Sequence, residues 1–293
     1  MPVRFRVGDV LADALTERLG TSPAGDWLRV DATPSSDLAG FQASPDDRLA
    51  VFDDVVPLGG RQVRLRSSTR SGGYLVEAGD LGAFEILPGG GEIRQVVATT
   101  AADPATLVEL ALGPPLALAL ALRRRWCLHA SGTLFAAGDG VFRAALFLGD
   151  SGLGKSTLAG AFGAERIADD IVPVAAGRDG AMVFPRFPQL KLRAEEQGSE
   201  LPEVIPLAAV YLLASLSGWE EVAIRRLAPA EAALALVRAT VASRLMSDED
   251  LRHNLEDAGR IAGQTRVASL GFERRLERLS GVVAAVRGDL RGA

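Results

Sequence analysis

One run of eight residues has the residue types and the spacing that phosphate binding requires. It fits the pattern GxxxxGK(S/T) at every fixed position, and its members are Gly149, Asp150, Ser151, Gly152, Leu153, Gly154, Lys155 and Ser156, with Thr157 directly after them. Glycines let the backbone turn N–H groups toward phosphate oxygens, the lysine reaches the β- and γ-phosphates, and the hydroxyl ligates Mg²⁺. The run therefore predicts a nucleotide site, and an ordinary glycine-rich turn is the alternative.

The segments on either side of this run have the form that the mechanism needs. Residues 144–148 are apolar and read as a buried strand, and residues 157–162 read as the first turns of a helix. A strand, a glycine-rich loop and a helix in this order place the helix N-terminus against the bound phosphates.

Two adjacent acids, Asp169 and Asp170, interrupt an apolar segment that reads as a strand, 167–172. Charges in such a segment are costly unless something compensates them. Neighbouring side chains on a strand point to opposite faces, so a strand end or a bulge is needed to bring both to one site. Because Asp169 follows Lys155 by only 14 positions, we expect the pair beside the phosphates, one near a metal ion and the other accepting a proton. A helix cap or a salt-bridge pair is the alternative.

The basic residues are strongly biased toward arginine, because only two of the 32 are lysines, Lys155 and Lys191. A compact ammonium differs from a planar guanidinium, so each lysine marks a place where the difference could matter. Lys191 is a candidate for a second phosphate-facing role, with Arg193 beside it on one face of a strand over 185–193. A surface lysine with no special role is the alternative.

These residues resemble those of a known family, the HPr kinase/phosphorylase catalytic domain and its HPr-kinase-related members. The likeness rests on a strand with Leu128-His129-Ala130-Ser131, then GDSGLGKST, then IADDIVPV, and it covers roughly residues 126–215. It implies an α/β phosphate-loop catalytic domain of the HPr kinase and phosphoenolpyruvate carboxykinase type, and the pattern of the residues before it adds a smaller β-rich domain.

The resemblance also implies roles for individual residues. Asp170 would be the catalytic base toward a serine hydroxyl, Asp169 would help Ser156 to hold Mg²⁺, and His129 would sit near the base and the transferred group. Without the resemblance, His129 in an apolar strand would read as a core histidine, and His253 reads as a helix-surface residue.

Departures from the family narrow the expected function. Thr157 stands where HPr kinases carry glutamate, their glycine-bearing EIRG signature is not legible, and the first hundred residues differ from their N-terminal domain. The chain looks more like the related kinases found beside genes for ribosomally made peptides, some of which phosphorylate a lasso-peptide precursor. We expect an ATP- and Mg²⁺-dependent serine kinase with a peptide or small-protein substrate. A small-metabolite kinase and a non-catalytic ATP-binding regulator are the alternatives.

Composition excludes several other classes. The formal charge of −5 gives no sign of the basic surface that binds nucleic acid. The apolar run 116–122 is too short to span a membrane. The single cysteine, Cys127, excludes an intramolecular disulfide, and the N-terminal segment does not read as a secretory signal. We therefore expect a cytoplasmic protein, and since ring-shaped hexamers are known for the family, the resemblance allows a homo-oligomer.

The order of predicted elements suggests two domains. Residues 1–110 form short alternating runs at 48–52, 62–66, 73–77 and 84–87 after one helix near 10–19, which indicates a β-rich domain. We expect this domain to serve in substrate recognition or in oligomerisation. Residues 111–293 alternate strands with helices, as a catalytic domain of the α/β class does. Helices are expected over 229–246, 248–262 and 273–287.

Overall fold

The chain divides into two compact units in the computed structural model, which describes residues 2–19, 28–33, 49–58, 60–97, 102–137, 140–189, 191–192, 201–215 and 222–291. The first unit contains Met1–Arg125 and Ala242–Arg252, and the second contains Trp126–Val241 and His253–Ala293. The sequence suggested a boundary at residue 110. The structure divides later, because the helices between 104 and 121 contact strands of the first unit.

Seven strands of the first unit form one sheet. They are β1 (Val3–Val7), β2 (Leu28–Ala32), β3 (Leu49–Leu58), β4 (Arg61–Arg70), β5 (Gly73–Ala78), β6 (Ala83–Ile86) and β7 (Glu92–Val97), in the order β2-β1-β7-β6-β5-β4-β3. β1 runs parallel to both neighbours, and the pairs from β7 to β3 are antiparallel. In its described residues, each of the four expected alternating runs overlaps a strand, while β1, β2 and β7 were not anticipated.

Among the described residues of this unit, three helices accompany the sheet: α1 (Asp9–Leu19), α2 (Pro104–Leu112) and α3 (Pro114–Ala121). The Asp103 carboxylate caps α2 by accepting from Thr106 N at 3.1 Å. In the part of the chain that the structure describes, Pro104–Ala121 is the one stretch long and apolar enough to cross a membrane. It is two helices divided at Gly113, and 72% of it is buried in the protein, as is common for core helices.

A second seven-stranded sheet forms the other unit, in the order β11-β10-β8-β9-β12-β14-β13. The strands are β8 (Trp126–Ala136), β9 (Phe142–Leu148), β10 (Arg166–Ala176), β11 (Ala181–Val183), β12 (Ile205–Ser215), β13 (Ala223–Arg226) and β14 (Arg266–Phe272). β9, β12 and β14 are parallel, whereas β8 pairs antiparallel with β9 and β10. The molecule is thus a mixed α/β protein with two sheets.

Helices α4 (Lys155–Gly160), α5 (Pro229–Arg238), α6 (Asp248–Gln264) and α7 (Leu279–Arg291) follow the strands of this second part, although α6 begins in residues that belong to the first unit. One apolar cluster joins α4 and α7 to the central parallel strands, with Leu158, Val286, Phe147 and Tyr211 all fully or almost fully buried. This packing fixes the start of α4 relative to the end of β9.

Two predicted helices were too long. The helix expected over 229–246 ends at Arg238, because the backbone after it pairs with β8 instead: His129 N donates to Ala239 O and Val241 N donates to Cys127 O, both at 2.7 Å. The helix expected from residue 273 begins at Leu279, since β14 continues to Phe272 and a short connection follows.

Candidate functional site

The glycine-rich run forms the connection between β9 and α4. β9 ends at Leu148 and α4 begins at Lys155. Gly152 and Gly154 have φ of +83° and +92°, in the region that favours glycine, and a Cβ at either would have no heavy atom within 4 Å. The loop therefore borders open space at the two positions where a side chain would stand, as a loop that receives a ligand must.

Lys155 lies inside this loop. Its Nζ donates to Gly149 O at 2.7 Å and to Asp150 O at 3.2 Å, and the residue is only 7% exposed. Burial lowers the pKa of the Lys155 ammonium, and the nearby Asp170 carboxylate, which acts in the opposite direction, only partly offsets this effect. The loop thus holds a buried cation, and an anionic ligand bound beside it would offset the cost of burying this charge.

Asp169 is buried and accepts hydrogen bonds from three side chains. Its Oδ1 accepts from Ser156 Oγ at 2.6 Å and from Ser131 Oγ at 2.7 Å, while its Oδ2 pairs with the Arg166 guanidinium. Its backbone N–H donates to Gln189 Oε1 at 2.9 Å. Both carboxylate oxygens are therefore held in place, which a buried carboxylate requires in order to stay charged.

Asp170 has a different environment and an unusual backbone. Its φ is +112°, a backbone conformation that residues other than glycine rarely adopt. Its Oδ1 lies 2.8 Å from Lys191 Nζ and 3.2 Å from His129 Nδ1. Burial raises the pKa of this carboxyl, but the hydrogen bonds from His129 and Lys191 outweigh burial and leave the pKa below its usual range. Asp170 is therefore ionised at neutral pH.

The strand register explains how two adjacent acids reach one region. Asp169 pairs with Ser131 and Asp170 pairs with Ala130, so regular alternation would direct the two carboxylates to opposite faces. His129 and Ser131 are two apart on β8 and share a face. Asp170 nevertheless contacts His129, because its positive φ breaks the alternation.

The structure places five of the predicted site residues in two sets of contacts. Ser156 binds Asp169, while His129 and Lys191 both contact the neighbouring Asp170. The strand expected over 185–193 is absent from its described part, because Pro185–Phe187 form turns and Lys191 lies in a bend. Arg193 lies outside the described residues.

The other predicted side chains of the loop differ in how exposed they are. In the loop, Asp150, Ser151 and Thr157 are exposed and Leu153 is partly buried. Cys127 is buried, and burial raises the pKa of its thiol, so it is not a reactive cysteine.

Ser156 and Asp169 fit a magnesium site. Their oxygens are 2.6 Å apart, so both could ligate one ion, and Mg²⁺ commonly uses one or two protein oxygens with phosphates and water. Among the described residues, no group of three or more His, Cys, Asp or Glu side chains could hold a metal by itself. Phosphate oxygens of a bound nucleotide and water could complete such a set.

Sequence reasoning missed three residues that hold the site. Ser131 and Arg166 bind Asp169, and Gln189 bridges β10 by accepting from Asp169 N and donating to Ile171 O at 2.8 Å. Ser131 lies two residues after His129 in a strand, a spacing that places both on one face. Gln189 gave no such signal, since its partners are about twenty positions away.

No protein-family model matches the chain. No curated protein matches it either. Among solved structures, the chain is similar to the Hpr(Ser) kinase/phosphatase from Coxiella burnetii, with 13% identity over 57% of this chain and 93% of that chain. The TM-score is 0.31, a level at which the likeness carries no argument about the activity of this chain.

Proposed function

We propose that this protein is a kinase that transfers the γ-phosphoryl group of ATP to a serine hydroxyl of a peptide or small protein. The observation that carries the proposal is the position of Asp170: an ionised carboxylate, on a backbone of φ +112°, in contact with His129 and Lys191 beside a phosphate loop. Unfavourable backbone conformations persist where the surrounding structure requires them, and they cluster at active sites.

The loop would bind the triphosphate. Backbone N–H groups of residues 149–156 and the Lys155 ammonium are the donors, and Lys155 would exchange the carbonyl oxygens of Gly149 and Asp150 for phosphate oxygens. Ser156 and Asp169 would hold Mg²⁺, which supplies charge neutralisation between the outer phosphates. Ser131, Arg166 and Gln189 would keep Asp169 oriented for this role.

Asp170 would act on the acceptor. Its carboxylate takes the proton of the serine hydroxyl while that oxygen forms a bond to the γ-phosphorus, and the bond between this phosphorus and the leaving oxygen of ADP breaks. Lys191 and His129 contact Asp170, so the Lys191 ammonium would lie close to the transferred phosphoryl group. A cation there stabilises the charge on the transferred group.

The exposure of these residues favours a large acceptor. The side chains of His129 and Lys191 are 41% and 58% exposed, whereas Asp170 is 18% exposed. A chain bearing a serine could approach such an open edge, while an enzyme for a small metabolite usually encloses its substrate. The family resemblance points the same way, toward a ribosomally made precursor such as a lasso peptide.

We further propose that the first unit recognises the peptide, that the protein works in the cytoplasm and that it can form homo-oligomers. These proposals rest on the order of domains and on the resemblance. Crosslinking a photoreactive acceptor peptide to the full chain and mapping the labelled fragments tests the first of them: labels confined to residues 126–241 and 253–293 would contradict it.

The main test is transfer itself. The full chain is incubated with Mg-ATP and serine-containing peptides or small hydroxylated compounds, and phosphorylated products are identified by mass spectrometry while ADP release is followed. We expect a phosphoserine peptide and no product from a Lys155→Ala variant. A phosphorylated small compound without any peptide product would favour the metabolite kinase, and ATP binding without transfer to any acceptor would favour a regulator.

A further inference from the structure

The connection after β14 lies at the same edge of the sheet as the phosphate loop. β9, β12 and β14 are parallel neighbours in that order, so their carboxyl ends meet at one edge, where ligands of open α/β sheets bind. The loop follows β9, and residues 273–278 follow β14. β8 and β10, which carry His129 and Asp170, lie on the other side of β9.

A pocket of about 140 Å³ lies where these two connections meet. The loop and α4 contribute Gly154 and Thr157, and the end of β14 and the residues after it contribute Phe272, Leu276 and Leu279. Leu276 is 76% exposed, an unusual state for a large apolar side chain at a concave surface. Pockets for whole ligands are typically about 300–1,000 Å³, so this volume suits one end of a ligand.

We propose that this pocket binds the base and ribose of the nucleotide whose phosphates lie in the loop. The proposal rests on the proposed function, because it needs the γ-phosphate at Asp170. With the γ-end directed toward β8 and β10, the α-phosphate and the nucleoside attached to it leave the loop on the side of β12 and β14. The pocket is on that side and touches the loop at Gly154 and Thr157.

The chemistry of the pocket matches a heterocyclic base. A base has flat apolar faces, which pack on leucine and phenylalanine side chains and stack on guanidinium groups. Arg274 and Arg275 line the same pocket. The Arg275 Nε lies 2.7 Å from Glu273 Oε1, so this guanidinium is held beside the apolar surface.

The test compares ADP with inorganic pyrophosphate, which carries the same two phosphates without the nucleoside. Both are titrated calorimetrically, with Mg²⁺, into the wild type, Leu276→Gln and Leu255→Gln. Leu255 is a matched control, since it is a 55% exposed leucine on α6 that does not line the pocket. Substitution at such exposed positions preserves the fold. Neither ADP nor pyrophosphate has a γ-phosphate, so the proposed transfer reaction cannot consume either ligand during the titration.

We expect the wild type to bind ADP more tightly than pyrophosphate. Leu276→Gln should weaken ADP binding about tenfold, the loss that corresponds to partial burial of a leucine, with pyrophosphate binding unchanged. Leu255→Gln should change neither. Photolabelling with 8-azido-ADP should mark residues 272–279.

Four results would overturn the inference: equal affinity of the wild type for ADP and pyrophosphate, an unchanged ADP affinity in Leu276→Gln, an equal weakening of both ligands, or labels elsewhere. If the wild type bound neither ligand, the proposed function would fall together with the subsite. Pyrophosphate binding without a nucleoside effect would leave the phosphate site standing and refute the subsite alone.

Discussion

The two seven-stranded sheets differ in where they place charge. Arg64 and Asp53 pair across strands of the first sheet with side chains 67% and 43% exposed, whereas Arg166 and Asp169 of the second are 21% and 7% exposed. An exposed pair is solvated and screened by salt, so it contributes little. A buried pair is tolerated only when other groups complete its hydrogen bonds, as Ser131 and Ser156 do here. Buried and compensated charge, more than charge itself, distinguishes the sheet that carries the candidate site.

The largest effect is expected from the reactive half of the acidic pair. Asp170→Asn keeps the size of the side chain but removes the base, so kcat for peptide phosphorylation should fall about 10²- to 10⁴-fold. ATP affinity should remain close to the wild-type value, because the loop and Lys155 are untouched. Steady-state kinetics and calorimetry measure the two quantities. Asp179→Asn, at an exposed acid between β10 and β11, is the control and should retain full activity.

Near-native phosphorylation by Asp170→Asn would show that another group accepts the proton. Equal loss of ATP binding and of turnover would show that Asp170 holds the nucleotide instead.

The comparison of the sheets is tested directly by two aspartate truncations. Asp169→Ala leaves the Arg166 guanidinium partly buried without its carboxylate, and among the described residues its Nε already has no hydrogen-bond partner, so the free energy of unfolding should drop by about 3 kcal/mol. Asp53→Ala in the first sheet should leave the unfolding midpoint in urea unchanged. Similar losses in the two variants would mean that burial does not separate these pairs.

A gain of stability is expected at Asp170. Because its φ of +112° is unfavourable for a residue with a Cβ, Asp170→Gly should raise the free energy of unfolding by about 1 kcal/mol while abolishing transfer. The lost contact with Lys191 costs little, since that lysine is 58% exposed. Ser71→Gly is the control: its φ of +50° lies in the ordinary left-handed region, so its gain should be smaller. Destabilisation by Asp170→Gly would contradict the assignment of strain.

The smallest effect concerns acid. The pKa of Asp170 is lowered from the ordinary value of 3.8, so its ionised form stabilises the fold at neutral pH and loses this contribution as the pH falls through the lowered value. The difference in unfolding free energy between the wild type and Asp170→Asn should therefore shrink below pH 3.8. A difference that stayed constant down to the acid transition would argue against the contacts with His129 and Lys191.

Local signals in the sequence were enough to locate the loop and the acids. An apolar run, a glycine-rich connection and the start of a helix are neighbours in the chain, and the acidic pair lies in the next apolar run. The sequence indicated that the strand must be irregular near the two acids if both are to reach one site. It did not indicate where, because nothing in the residue types shows that an aspartate adopts a positive φ. Gln189 lies in an irregular segment after β11, where its position depends on packing between distant segments, so no periodic pattern marks it.

The same limit explains the errors at the ends of helices. Residues 239–241 are Ala, Thr and Val, with no glycine or proline to end a helix, yet their backbone pairs with β8, which lies more than a hundred positions earlier. Such long-range pairing overrides local propensity. The boundary between the units depended on α2 and α3 in the same way, because only packing decides which sheet a helix joins.

The return of residues 242–252 to the first unit has a consequence for synthesis. Leu245 and Met246 are 4% and 2% exposed, and Leu245 O accepts from Ser67 Oγ at 3.0 Å, so the interior of that unit includes residues made very late. A ribosome must therefore translate most of the second unit before the first can be completed. Until residues 242–252 have been synthesised, part of the apolar surface of the nascent N-terminal segment therefore stays exposed to solvent.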